Sequence, residues 1–143
     1  MRGLGTLIRL HGQQLDDKRR VLADLQSLGD RLRQSLVDLG EEMKREQEVA
    51  AMSVETGMTY ANYAKALIER RETIEQSIRE CDQQVAAATE EVREAFGELK
   101  KFEIARANRE RRAQEAADRV EQAGFDEMGL SIHRRRDQDG GPG

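Results

Sequence analysis

Few residues in this sequence are of a type that could do chemistry, and none has a partner at catalytic spacing. His11 could bind a metal or act as a pH switch, but no cysteine or second histidine stands at ligand spacing, so we interpret it as a packed core histidine. Cys81 is the single cysteine and forms no internal disulfide. No phosphate-binding loop, nucleophile–base pair or enclosed carboxylate pair is present. The sequence predicts a non-enzymatic binding or mechanical protein without catalytic residues, metal, cofactor or small-molecule substrate.

Positive charge is concentrated between residues 100 and 112, and we name this set the basic cluster. It faces only two acids in the same stretch and comprises Lys100, Lys101, Arg106, Arg109, Arg111 and Arg112. The cluster could be a solvated helix face, a docking surface for an acidic protein, or a nucleic-acid site. Because no nucleic-acid-binding motif is recognised, we expect no nucleic-acid partner.

Two long helices would position these residues. Steps of alternately four and three residues, from Leu4 to Ala50 and again from Tyr60 to Ala123, fall mostly on apolar residues and alanine. This 3.5-residue period is typical of the core of a coiled coil. Charged residues make up 36% of the chain and aromatic residues 3%, which leaves too little apolar bulk for a globular core. The sequence therefore predicts an all-α coiled coil.

The first helix breaks the apolar pattern at three core positions, His11, Lys18 and Gly29. We expect Lys18 to extend toward a carboxylate on the partner helix. Gly29 costs about 1 kcal/mol of helix propensity relative to alanine. It either lets two backbones approach or bends the helix, and bending is the interpretation we favour.

The apolar pattern lapses over residues 53–59, between the two helices. Gly57 can adopt the positive φ that ends a helix, and Thr59 can cap the next one. So short a connection favours an antiparallel hairpin over a parallel homodimer of continuous rods. The sequence thus predicts an antiparallel two-helix coiled-coil hairpin with a longer second helix. Its parts are a helix over 4–52, a turn over 53–59, a helix over 60–123 and a flexible C-terminal tail over 124–143.

Folding the chain about residue 56 pairs positions whose numbers sum to about 110–112. This register predicts three cross-helix neighbourhoods: Lys18 near Glu94, Arg71 near Glu41 and Glu42, and Gly29 near Cys81 and Asp82. The amino-terminal end of the first helix, at Leu4, then lies opposite about Arg106. From there the second helix continues to about Ala123 without a partner for its inner face. Beyond Gly124 the apolar residues are dispersed.

The amino terminus and the rest of the chain carry no targeting or membrane signal. Residues 1–10 are interrupted by Arg2 and Arg9, unlike a signal peptide, and no stretch approaches the ~18 apolar residues of a membrane span. The formal net charge of −4 comes from well-mixed charges and excludes a general polyanion binder. We expect a cytoplasmic protein.

Several fragments, in their order and spacing, resemble the flagellar export protein FliJ family over most of residues 4–130. The fragments are LGTLIRL at 4–10, QLDDKRR at 14–20, NY at 62–63, IEQ at 74–76, AFGELKKFE at 95–103 and FDE at 125–127. The resemblance implies a component of the flagellar type III protein export apparatus, cytoplasmic and peripheral at the inner membrane. It implies as partners the hexameric export ATPase, the cytoplasmic linker of the export gate, and export chaperones.

By the same resemblance, the open end of the hairpin with the basic cluster would enter the ATPase ring, and a stripe nearer the turn would contact the export gate. The matching positions are Ala66, Arg70, Thr73 and Ser77 on the second helix, and Ser35, Leu39, Glu42 and Glu46 on the first. Ala66, Arg70 and Glu46 depart from the large apolar types of the family. Tyr60 and Tyr63 lie nearby, and packing beside the turn explains them as well as a gate contact does.

An alternative function stays open on the sequence alone. The chain could be a homodimeric coiled-coil scaffold or adaptor unrelated to an ATPase. A stable parallel dimer with an extended turn region would indicate this alternative, whereas the antiparallel hairpin favours the stalk.

Overall fold

Two α-helices make up the part of the chain that the structure, a computed structural model, describes: residues 2–52 and 54–139. Helix α1 spans Arg2–Ala50 and helix α2 spans Val54–Asp139. Most of their residues are good helix formers, and neither helix contains proline. The predicted all-α fold with a longer second helix is confirmed.

The connection between the helices is shorter than the turn predicted over 53–59. Two backbone hydrogen bonds follow the end of α1, from Ala51 N to Gln47 O at 3.2 Å and from Met52 N to Val49 O at 3.1 Å. Ser53 lies outside the described residues, and α2 already begins at Val54.

Gly57 and Thr59, predicted to break and cap the helix, both lie inside α2. No described glycine has a positive φ. The Thr59 hydroxyl donates back to Glu55 O at 3.4 Å, within the helix. One helical glycine costs only about 1 kcal/mol relative to alanine, which a long helix tolerates, so Gly57 does not have to end it.

The chain divides into two compact units, of which Arg9–Leu99 contains segments of both helices. Within this unit the helices run antiparallel, because Lys18 pairs with Glu91 whereas Arg33 pairs with Asp82. The core side chains are between 3% and 5% exposed and comprise Leu15, Leu39, Leu67, Cys81 and Ala88. All five stand at predicted core positions, so the heptad pattern identifies the core of this unit.

The cross-helix ion pairs agree with the predicted register to within about one helical turn. Lys18 Nζ lies 3.3 Å from Glu91 Oε2, and Glu94, its predicted neighbour, stands one helical turn further along α2 and lines the same groove as Lys18. Arg71 is exposed and pairs with Glu75 of its own helix at 3.9 Å, and it is Arg70 Nη1 that lies 3.9 Å from Glu42 Oε2. Exposed ion pairs contribute about 0–1 kcal/mol each, so they adapt to the apolar packing and do not determine it.

Gly29 lies in the interface between the helices, as the alternative of a close approach predicts, while the favoured bend stays a prediction. Gly29 is buried, and a Cβ added there would lie 3.4 Å from Cys81 Sγ and 3.1 Å from Arg33 Nη1. The Cys81 thiol donates to Leu25 O at 3.3 Å. Because Gly29 has no side chain, it leaves space in the core for the side chain of Cys81. Its predicted proximity to Cys81 is confirmed.

The other unit comprises the chain up to Ile8 and from Lys100 onward. Its half-buried side chains end at Asn108, and every residue over 109–139 is exposed. Helix α2 nevertheless continues to Asp139, past the predicted end at Ala123. No proline interrupts the chain before Pro142, so each backbone amide can bond within the helix. The predicted flexibility of 124–139 stays a prediction, and residues 140–143 lie outside the described residues.

Replacing Gly29 with alanine tests the close approach, with Gly40 as the matched control. Gly40 is exposed on the same helix, with no heavy atom within 4 Å of an added Cβ. We expect Gly40→Ala to raise the free energy of unfolding by ~0.5–1 kcal/mol through helix propensity. Gly29→Ala should raise it by less, because the Arg33 guanidinium, 2.5 Å from Asp82 Oδ1, must shift. Urea unfolding followed by circular dichroism measures both.

Leucine substitutions at positions 29 and 40 should differ more in their effect on the free energy of unfolding than the alanine substitutions do. Gly29→Leu should lower the free energy of unfolding by ~1–3 kcal/mol through overpacking against Cys81, while Gly40→Leu should not lower it. Equal effects of leucine at positions 29 and 40 would contradict the close approach.

Candidate functional site

The basic cluster lies entirely on the surface of α2. All six of its side chains are exposed. Two of them are close to carboxylates of the same helix, Lys100 Nζ to Glu103 Oε2 at 3.3 Å and Arg111 Nε to Glu115 Oε1 at 3.9 Å. Such pairs along one helix are weak and leave the cations available to a partner.

Three arginines of the cluster, Arg106, Arg109 and Arg112, form no ion pair or hydrogen bond with any residue that the structure describes. They stand three residues apart, which makes them neighbours on the helix surface. Unpaired guanidinium groups can bind carboxylates with two parallel hydrogen bonds. Of the three interpretations of the cluster, these arginines favour a docking surface for an acidic partner.

Apolar side chains are exposed farther along α2, where sequence reasoning considered them dispersed. Phe125, Met128 and Ile132 are 60%, 61% and 50% exposed. Since the helix continues through them, their spacing of three and four residues aligns them on one face. This spacing of three and four residues is the sequence signal for the apolar face, and the prediction of a flexible tail over 124–143 did not use it.

The predicted gate-contacting positions fall into an exposed and a buried group. Ser35, Ala66, Arg70 and Thr73 are exposed, and Tyr63 is 38% exposed. Tyr60, Glu42, Glu46 and Ser77 are half-buried, whereas Leu39 is only 3% exposed. The Thr73 hydroxyl is held by Glu69 O at 3.1 Å. Leu39 therefore belongs to the core and offers a partner almost no surface.

Glu42, Tyr63 and Arg70 form a polar group across the two helices. The Tyr63 hydroxyl donates to the Glu42 carboxylate, which also lies 3.9 Å from Arg70 Nη1. The hydrogen bond raises the pKa of the Tyr63 phenol above its ordinary value, because a carboxylate accepts the phenol proton and disfavours the phenolate. Desolvation and the charges of Glu42 and Glu46 raise it further, and Arg70 opposes them.

An open groove begins beside this polar group, toward the end of the hairpin at Ala50. It is lined by Glu46, Val49, Ala50, Thr59, Tyr60 and Tyr63. The structure therefore brings both tyrosines to one surface near the turn, as the packing interpretation and the gate interpretation each require.

The described residues contain no group of three or more histidine, cysteine, aspartate and glutamate side chains that could hold a metal ion. No described buried side-chain nitrogen or oxygen lacks a hydrogen-bond partner. Neither described helix is long and apolar enough to span a membrane. The features of the described surface that could bind other macromolecules are the charged basic cluster and the exposed apolar side chains.

Two long helices packed antiparallel on a heptad core, with cations exposed outside it, define a coiled-coil binding protein. The chain matches the family model described as Flagellar FliJ protein over residues 1–138, and it belongs to this family. No curated protein and no solved structure matches the chain. Membership of this family implies a component of the flagellar export apparatus.

Removing the Glu42 charge should lower the pKa of Tyr63. In a Tyr60→Phe background, where Tyr63 is the only tyrosine, we expect Glu42→Gln to shift the phenolate absorbance titration toward the ordinary tyrosine value. Because the folded-state pKa is raised, the bond stabilises the fold below the ordinary pKa and is lost as the pH rises through the raised value. Glu48→Gln is the control for the loss of one carboxylate. An unchanged titration in Glu42→Gln would refute the assignment.

Proposed function

We propose that the chain is the coiled-coil stalk that binds the hexameric flagellar export ATPase and couples it to the export gate. Family membership supports a role in flagellar export. The observation that carries the finer proposal is the set of exposed, unpaired arginines Arg106, Arg109 and Arg112 on a helix surface without burial beyond Asn108. Such a surface is suited to acidic groups inside a ring of subunits.

The proposed mechanism depends on the mismatch between a single stalk and a ring of six equivalent subunits. One stalk in a ring of six equivalent subunits can contact only some of them at a time. Contacts that favour one nucleotide state over another shift the populations of those states by their difference in binding free energy. The stalk changes ATP turnover in this way without any catalytic group of its own.

The coupling to the gate uses the part of unit Arg9–Leu99 near the turn. There the exposed gate-contacting positions accompany the groove beside Tyr60 and Tyr63. Tyrosine offers apolar contact area with little loss of side-chain freedom, as binding surfaces commonly use. Export chaperones belong to the same proposal as transient partners.

Reversing the three unpaired cations should weaken the effect of the chain on the ATPase. We expect the chain to change the ATP turnover of the matching hexamer, and Arg106→Glu/Arg109→Glu/Arg112→Glu to weaken its binding about tenfold or more. The control is Arg19→Glu/Arg31→Glu/Arg45→Glu, which changes net charge equally at exposed arginines of the other unit. Equal loss in both variants would show a net-charge effect and contradict the assignment, as would unchanged turnover with the wild-type chain.

A charged side chain at Ala66 should weaken binding to the gate linker. Ala66 and Ala61 are both exposed on α2, on different faces of the helix. We expect Ala66→Glu to reduce binding of a linker peptide about tenfold and Ala61→Glu to leave it unchanged, as measured by calorimetry. The reverse order of effects would place the gate contact elsewhere on the hairpin.

A further inference from the structure

A second open groove runs between α1 and α2 within the unit Arg9–Leu99, away from the gate-contacting positions. Its lining includes Asp17, Lys18 and Val21 from α1 and Glu91, Glu94 and Ala95 from α2. Val21 is 49% exposed, and Ala95 is half-buried beside the core. The floor of the groove is thus apolar and lies open to solvent.

On the same side of the unit, the exposed apolar surface extends from this groove toward the turn. Leu28 stands seven residues after Val21, so the two share one face of α1. Leu28 is 38% exposed and lines a further groove with Leu32 and Cys81. A helix that packed along this side would cover both Val21 and Leu28.

The rim of the groove at Val21 is strongly acidic. Four carboxylates and a single ammonium group line it. Lys18 is engaged by Glu91 at 3.3 Å, and Asp17 lies 3.6 Å from Arg20. Glu94 has no ion-pair or hydrogen-bond partner among the described residues. An apolar floor with an acidic rim fits a basic helix with small or apolar side chains between its cations.

This chain itself carries such a helix, in its other unit. Ala105, Arg112 and Arg119 stand seven residues apart, with Arg109 and Ala116 one heptad apart beside them. All five are exposed, and none of the three arginines is paired with a residue that the structure describes. Alanines between the cations let this face approach another helix closely.

We propose that the acidic groove of one copy binds the basic face around Arg112 of a second copy, in competition with the proposed ATPase contact, which uses Arg109 and Arg112 as well. Each copy supplies one groove and one basic face, so two copies can exchange the contact reciprocally, as a two-fold dimer requires. Both binding faces are present in one sequence with opposite charge, which is why a second copy is the occupant we favour over a different protein. Because single exposed ion pairs contribute little, the association is weak and sensitive to salt.

Charge-swapped variants of the full chain test the contact without any ATPase. We expect the weight-average mass of the wild type, measured by sedimentation equilibrium, to rise above the monomer with concentration at low salt and to return to it at high salt. Glu94→Arg and Arg112→Glu should each weaken association about tenfold or more, since like charges then face each other. Circular dichroism checks that each variant remains helical.

An equimolar mixture of the two variants is the decisive arm. In the mixed pair, the guanidinium introduced at position 94 of one variant faces the carboxylate introduced at position 112 of the other. The second contact of the pair is native, so association should be restored. Glu48→Arg and Arg31→Glu, at exposed unpaired positions elsewhere, are controls that should associate like the wild type. A wild type that is monomeric at every concentration, or a mixture that stays monomeric, would overturn the proposal, the first result leaving the groove to another protein's basic helix.

Discussion

Burial of the heptad core between α1 and α2 is the interaction on which the rest of the structure depends. A helix of mostly charged and alanine residues is marginal alone in water, and most of its stability comes from packing one apolar face. Leu15, Leu39 and Leu67 are almost completely buried, and a buried leucine contributes roughly 1.5–3 kcal/mol. The cross-helix ion pairs are half exposed and contribute about 0–1 kcal/mol each. The apolar core therefore sets the pairing, and the charges follow it.

This division of roles explains how much of the fold the sequence predicts. The 3.5-residue period identifies the core because it reports which face of a helix must be covered. It also places Gly29 beside Cys81. It does not predict which carboxylate Lys18 reaches, because a flexible side chain at the surface can choose between acids one turn apart at little cost.

The turn and the end of α2 could not be predicted for a related reason. Gly57 and Thr59 have the chemistry of a helix boundary, but the boundary lies at Ala51, because local propensities of about 1 kcal/mol do not outweigh continued backbone bonding. Of the candidate site, the exposed basic cluster was predictable from charge alone. The hydrogen bond of Tyr63 to Glu42 and the aligned Phe125, Met128 and Ile132 required the helix geometry.

We propose that the exposed cations of the basic cluster, in this member of the FliJ family, contact the export ATPase. Site-specific photo-crosslinking tests it most directly, with a photoreactive residue placed at Arg106 and, for comparison, at Arg31 in unit Arg9–Leu99. We expect covalent capture of the ATPase from position 106 and none from position 31. Capture from position 31 alone would contradict it.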